Sequence, residues 1–161
     1  MHFSKRYKTL LICLALSCAL VEAQAPDNNS DEAAVRKVLS DINGAWNRHD
    51  AAGMAKDFAS DIDQVNVLGR WTHGKEEMEK LYALGQASGG MFLGHGIRTS
   101  VVQVVKFVKP DVAFAIVESK DDHNHLRTTY VLTREGARWL IRTQTVSPVR
   151  DVPAAKAPAD K

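Results

Sequence analysis

Two histidines stand where a side chain could move a proton. Imidazole titrates unperturbed near neutral pH, which makes His73 and His95 the candidate acid and base. His95 lies between Gly94 and Gly96, where the backbone is free to bend toward a ligand. A lone histidine is equally at home as a structural or solvated residue, so both readings stand for each. Trp71 and Tyr82 offer aromatic walls for an apolar molecule, with Trp71 among polar residues at a pocket mouth. Asn66 carries an amide, which can orient a ligand but cannot take a proton; its plainer role is to satisfy backbone groups at a strand end. Trp46 falls on an apolar helical stripe and reads as core. Toward the C-terminus, Arg127, Tyr130 and Thr143 are candidate ligand contacts on strands unusually polar for a core. Alternation sets Arg127, Thr129 and Val131 against Thr128, Tyr130 and Leu132 without saying which set is concave; an inward Arg127 favours an anionic or carbonyl-bearing ligand.

Other chemistries lack their residues. His123 and His125 cluster with Asp121 and Asp122, but in a polar hairpin loop without ordered metal-ligand spacing, so no metal is expected. No nucleophile elbow, phosphate-binding glycine loop, dinucleotide fingerprint or zinc-protease helix occurs, and the expected chemistry uses no cofactor.

The elements that must position these residues follow from periodicity. Val35, Val38, Leu39, Ile42, Ala45 and Trp46 recur at steps of three and four, which predicts a helix over residues 31–48. Asp50 caps a second, short helix carrying Met54, Ala55 and Phe58. Residues 62–68 read as a strand, Gly69 as a turn and 70–73 as its hairpin partner; residues 75–87 form a third helix. Four strands rich in Val, Ile, Thr and aromatics follow, over 97–108, 112–119, 126–133 and 138–147. Their short connections predict an antiparallel meander. Helices first and strands afterwards give an α+β domain over residues 31–149.

The ends read differently. Lys5, Arg6 and Lys8 precede an uncharged apolar run from Thr9 to Val21, with small residues at Val21 and Ala23. This is the pattern of a signal peptide over residues 1–23, cut before Gln24, and it predicts a periplasmic or secreted protein. The run is about 20 Å long as a helix, short for a ~30 Å hydrocarbon core, so no membrane contact is expected after cleavage. Residues 24–30 form a polar lead-in and 150–161 a Pro/Ala-rich tail expected to be disordered. Both cysteines, Cys13 and Cys18, leave with the signal, which excludes disulfides from the mature domain. Three basic residues and one acidic residue leave too, so the excess of 21 Lys and Arg over 19 Asp and Glu vanishes and nucleic acid is not an expected partner.

Six short motifs in order give the domain a family likeness. They are Ala45-Trp46-Asn47-Arg48-His49-Asp50, Phe58-Ala59-Ser60-Asp61, Val65-Asn66-Val67-Leu68-Gly69, Gly74-Lys75-Glu76-Glu77-Met78, Pro110-Asp111-Val112-Ala113 and Gly136-Ala137-Arg138-Trp139-Leu140-Ile141. In this order the sequence resembles the nuclear transport factor 2-like superfamily, and within it the SnoaL-like and SgcJ/EcaC-type domains. The resemblance implies a cone of N-terminal helices on a curved, mostly antiparallel sheet, around an apolar pocket and commonly in a homodimer. It puts His73 near the cavity rim. It also puts Asn66 where ketosteroid isomerase-like members carry a proton-shuttling aspartate, a departure that argues against that chemistry. The expected function is a pocket for a small, largely apolar organic ligand, with acid–base chemistry on a carbonyl compound or plain binding as its use. The fold hosts both.

Overall fold

The computed structural model describes residues 28–150; the stretch read as a signal peptide, the first part of the expected lead-in and the expected tail from residue 151 lie outside them. Helix α1 (Asn28–Asn47) starts inside the expected lead-in, and its apolar stripe buries Val35, Leu39 and Trp46. Asp31, in its first turn, is buried and accepts hydrogen bonds from Arg134 Nη1 at 3.1 Å and Trp139 Nε1 at 3.3 Å. That ion pair ties the start of the helix to the far hairpin of the sheet. The helix ends at Arg48 and His49, where the Asp50 N–H reaches back to the Ala45 carbonyl and His49 takes a positive φ of 56°. Asp50 then caps α2 (Ala51–Ala55) by accepting the Gly53 N–H at 2.8 Å.

Six strands form one sheet in the order β2-β1-β6-β5-β4-β3. They are β1 (Phe58–Val65), β2 (Trp71–His73), β3 (Thr99–Lys109), β4 (Val112–Lys120), β5 (His125–Glu135) and β6 (Arg138–Pro148). Phe58 opens β1 rather than closing the second helix, and Asn66 to Gly69 form its turn rather than its last residues. β3 to β6 make the expected meander, but β1 joins β6 in parallel, with Gln64 opposite Gln144. Helix α3 (Lys75–Gln86) packs beside β1 and buries Met78 and Tyr82.

Bulges at Val102–Val104 and Phe107–Lys109 in β3, and at Arg142 in β6, bend the sheet toward the helices. The inner face is filled unevenly. At one end Phe58, Leu132, Trp139 and Ile141 pack solidly with Phe107 against the helices. At the other end the inward residues are small: Ser100 pairs with Ser119, and Thr128 stands between Val117 and Val146. Large residues close one end and small ones leave the other open. α1 also covers the edge of the sheet, where Arg36 donates to the Val102 carbonyl at 3.0 Å and Asn47 to the Arg98 carbonyl at 2.8 Å.

Candidate functional site

The open end holds a cavity of about 360 Å³, within the range of small-molecule sites. Its apolar wall comes from Leu39, Ile42 and Trp46 of α1, Met54 of α2, Leu81 of α3, and Val117 and Val146 of the sheet. The segment between α3 and β3 crosses its mouth with Met91 and Phe92. That crossing depends on Gly85: a Cβ there would lie 2.0 Å from the Phe92 ring, which instead rests 4.8 Å from Trp46.

Three polar groupings interrupt the apolar wall. The first is a row across the strands, Gln64 on β1, Gln144 on β6 and Tyr130 on β5, in register with one another. Tyr82 of α3 lies over the row; its hydroxyl accepts from Gln64 Nε2 at 3.4 Å and donates to Gln144 Oε1 at 3.3 Å. Burial pushes the Tyr82 phenol far above its ordinary range, and that of Tyr130 up to about 12, so both remain protonated donors.

The second grouping is Arg98. Asp121, whose side chain is fully buried, takes its Nη2 at 2.9 Å and its Nε at 3.2 Å. The guanidinium lies 3.4 Å over the Trp46 ring, and Asn47 holds the Arg98 backbone from both sides. Burial lowers the Arg98 pKa, an effect the Asp121 carboxylate opposes. Asp121 itself is pushed up by burial but ends below its usual value, because Arg98, the His123 N–H and Asn124 all donate to it.

The third grouping is His95 with Asn124. Asn124 Nδ2 lies 3.0 Å from Asp121 Oδ1 and 3.0 Å from His95 Nδ1. A carboxylate only accepts, so that nitrogen is the amide donor, and it donates to His95 Nδ1 as well. In the neutral ring the proton therefore sits on Nε2, and His95 presents a donor rather than a free base. Gly94 and Gly96, at φ of 80° and 65°, bring the ring in from the loop; a Cβ on Gly96 would lie 2.3 Å from Asp122.

Of the residues expected from sequence, Asn66, Tyr82, His95 and Tyr130 line the cavity. Asn66 does so at the rim, where its Oδ1 accepts from the N–H groups of Leu68 at 2.9 Å and Arg70 at 3.0 Å and closes the turn. The other four do not face it, which corrects the positions expected for them. In β2 only Thr72 points inward, so Trp71 and His73 project from the opposite face, where Asp63 Oδ1 accepts from Trp71 Nε1 at 2.7 Å and pairs with His73 Nδ1 at 2.9 Å. Those contacts, His73's first, hold the Asp63 carboxyl below its usual range. Arg127 is exposed and pairs with Glu118 at 3.0 Å on the outer face. Thr143 is displaced by the bulge at Arg142, which lets Ile141 and Gln144 both face inward.

Gln64 and Arg98 were not singled out from sequence, and Gln144 and Asn124 were not proposed as ligand contacts. For Gln64 the signal exists, since it shares a strand face with Ile62. Arg98 and Asn124 belong to loops whose meeting no local pattern announces. Among the described residues no group of three His, Cys, Asp or Glu side chains is placed to hold a metal ion, and no helix is long and apolar enough to cross a membrane.

No protein-family model and no curated protein matches the chain. Solved structures do. A domain of unknown function with a cystatin-like fold from Nostoc punctiforme superposes with a TM-score of 0.68 at 20% identity, over 75% of this chain and 78% of that one. A nuclear transport factor 2-like protein of unknown function from Pseudomonas putida gives 0.61 at 17% identity, over 80% and 93%. A putative scytalone dehydratase from Novosphingobium aromaticivorans gives 0.59 at 10% identity, over 76% and 87%. The chain has the nuclear transport factor 2-like fold: helices packed on one face of a curved, mostly antiparallel sheet.

Proposed function

We propose that this domain binds a small, largely apolar organic molecule in the cavity between its helices and the open end of the sheet. The observation that carries the reading is the uneven filling of the inner face. Ser100, Ser119 and Thr128 stand where the other end of the sheet has Trp139, Leu132 and Phe58, and the helices do not collapse onto them. A well-packed interior leaves few voids larger than a water molecule, so a space of about 360 Å³ with an apolar wall is built for an occupant.

A second reading, acid–base chemistry on a carbonyl compound, has one observation in its favour: His95 is on the wall. The Asn124 amide bond leaves that ring to donate through Nε2, a geometry suited to holding a carbonyl oxygen rather than to removing a proton. Among the described residues the cavity wall carries no carboxylate to serve as base. Binding is therefore the primary reading.

Isothermal titration calorimetry with 2-methoxynaphthalene tests it. Saturable binding with a negative heat-capacity change is expected, and Ser119→Phe, which fills the space from the inner face, should abolish it. Equal binding by wild type and Ser119→Phe would place the ligand elsewhere and contradict the reading.

A further inference from the structure

We infer that the molecule held in this cavity is neutral and bears a hydroxyl group, as an alcohol or a phenol, seated across Gln64 and Gln144. The inference deepens the binding reading above and rests on it.

The argument starts from donors and acceptors. Gln64 and Gln144 are opposed on neighbouring strands, 4% and 7% exposed, and both line the cavity. Each spends half of its amide on the Tyr82 hydroxyl, Gln64 through Nε2 and Gln144 through Oε1. The other halves are left over. Gln64 Oε1 is buried and has no hydrogen-bond partner, and Gln144 Nε2 makes no hydrogen bond to another described residue. Reversing both amides makes Gln144 the donor to Tyr82 and Gln64 the acceptor, and the spare atoms then exchange roles. In either direction the pair presents one spare acceptor and one spare donor, on adjacent strands ~5 Å apart.

A buried acceptor without a partner is costly, and native proteins keep few of them. A hydroxyl donates and accepts through a single atom while remaining neutral, so it satisfies both spare positions at once. An ether or ketone oxygen accepts only and leaves Gln64 Oε1 orphaned. A carboxylate does the same and adds a charge.

The rest of the wall also disfavours an anion. Asn43 Oδ1 is a second unpartnered buried acceptor there, and the charge of Arg98 is already matched by Asp121 at 2.9 Å. Thr72, paired with Gln64 in β2, carries an unpartnered Oγ1 too, but it is not part of the cavity wall.

The test compares matched probes by isothermal titration calorimetry: 2-naphthol, 2-methoxynaphthalene and 2-naphthoate. The expected result is 2-naphthol binding about tenfold more tightly than its methyl ether, the size of one well-made buried hydrogen bond. In Gln64→Leu the ratio of the two affinities should fall to near unity. Tyr82→Phe, which retains the ring but frees both amides to pair with each other, should reduce it as well. Equal affinity of wild type for 2-naphthol and the ether overturns the inference and leaves the binding reading standing. Tightest binding of 2-naphthoate also overturns it, in favour of recognition by Arg98. Failure of all three probes to bind overturns the inference and the reading beneath it.

Discussion

At the residue scale the site is held by a charge pair of which only the cation, Arg98, borders the space it shapes. Arg98 is 15% exposed along its side chain and lies on Trp46, where an unmatched guanidinium would face an apolar wall. Asp121 meets it with a carboxylate that also accepts from the backbone of His123 and Asn124. Asp121→Asn keeps the shape and the loop bonds but leaves the cation without its counter-charge. Breaking a buried pair from one side costs about 3 kcal/mol, and urea unfolding should show a loss of that size; a loss under about 1 kcal/mol would contradict the assignment of the pair as buried and matched. A second group makes stability depend on acid. His125 at 2.7 Å and Arg127 at 3.0 Å hold Glu118 at a pKa of about 2, below its ordinary 4.5. Between those values the unfolded chain binds a proton that the folded one does not, so stability falls as pH drops from about 4.5 toward 2. Glu118→Gln should flatten that arm of the urea midpoint against pH while leaving its shape near pH 7; an unchanged arm would show that the pair is solvated away.

At the element scale the helices were legible because a period of three to four survives any tertiary detail: Val35, Leu39 and Trp46 are buried as their spacing requires. Strand interiors were legible from Val, Ile and Thr content, and strand ends were not. Asn66 belongs to the turn because its side chain takes two N–H groups, a competition between amide and ladder that hydrophobic pattern does not register. The bulge at Arg142 was hidden for a similar reason. One extra residue in β6 reverses the alternation beyond it, which turned Thr143 outward and brought Gln144, rather than its neighbour, to the cavity. In β2 the alternation was regular, but the inward member was Thr72, so the more conspicuous Trp71 and His73 went to the other face. Chemical prominence in a sequence carries no information about facing.

At the scale of the whole molecule, helices followed by strands gave the α+β class, while the parallel pairing of β1 with β6 arises from a crossover that local signals do not encode. That pairing matters most, because it sets Gln64 beside Gln144 and so assembles the polar row from residues 80 positions apart. The cavity is a property of the same scale: bulges curve the sheet, large side chains close one end, and small ones leave the other open under α1 and α3. Methyl NMR on the protein tests this account most directly, by titration with 2-methoxynaphthalene. The account predicts saturable shifts at Leu39, Met54, Leu81 and Val146, which line the cavity, with Val104 and Val108 on the exposed edge strand unmoved. Shifts centred on Val104 and Val108, or none at the cavity methyls at saturating probe, would contradict it.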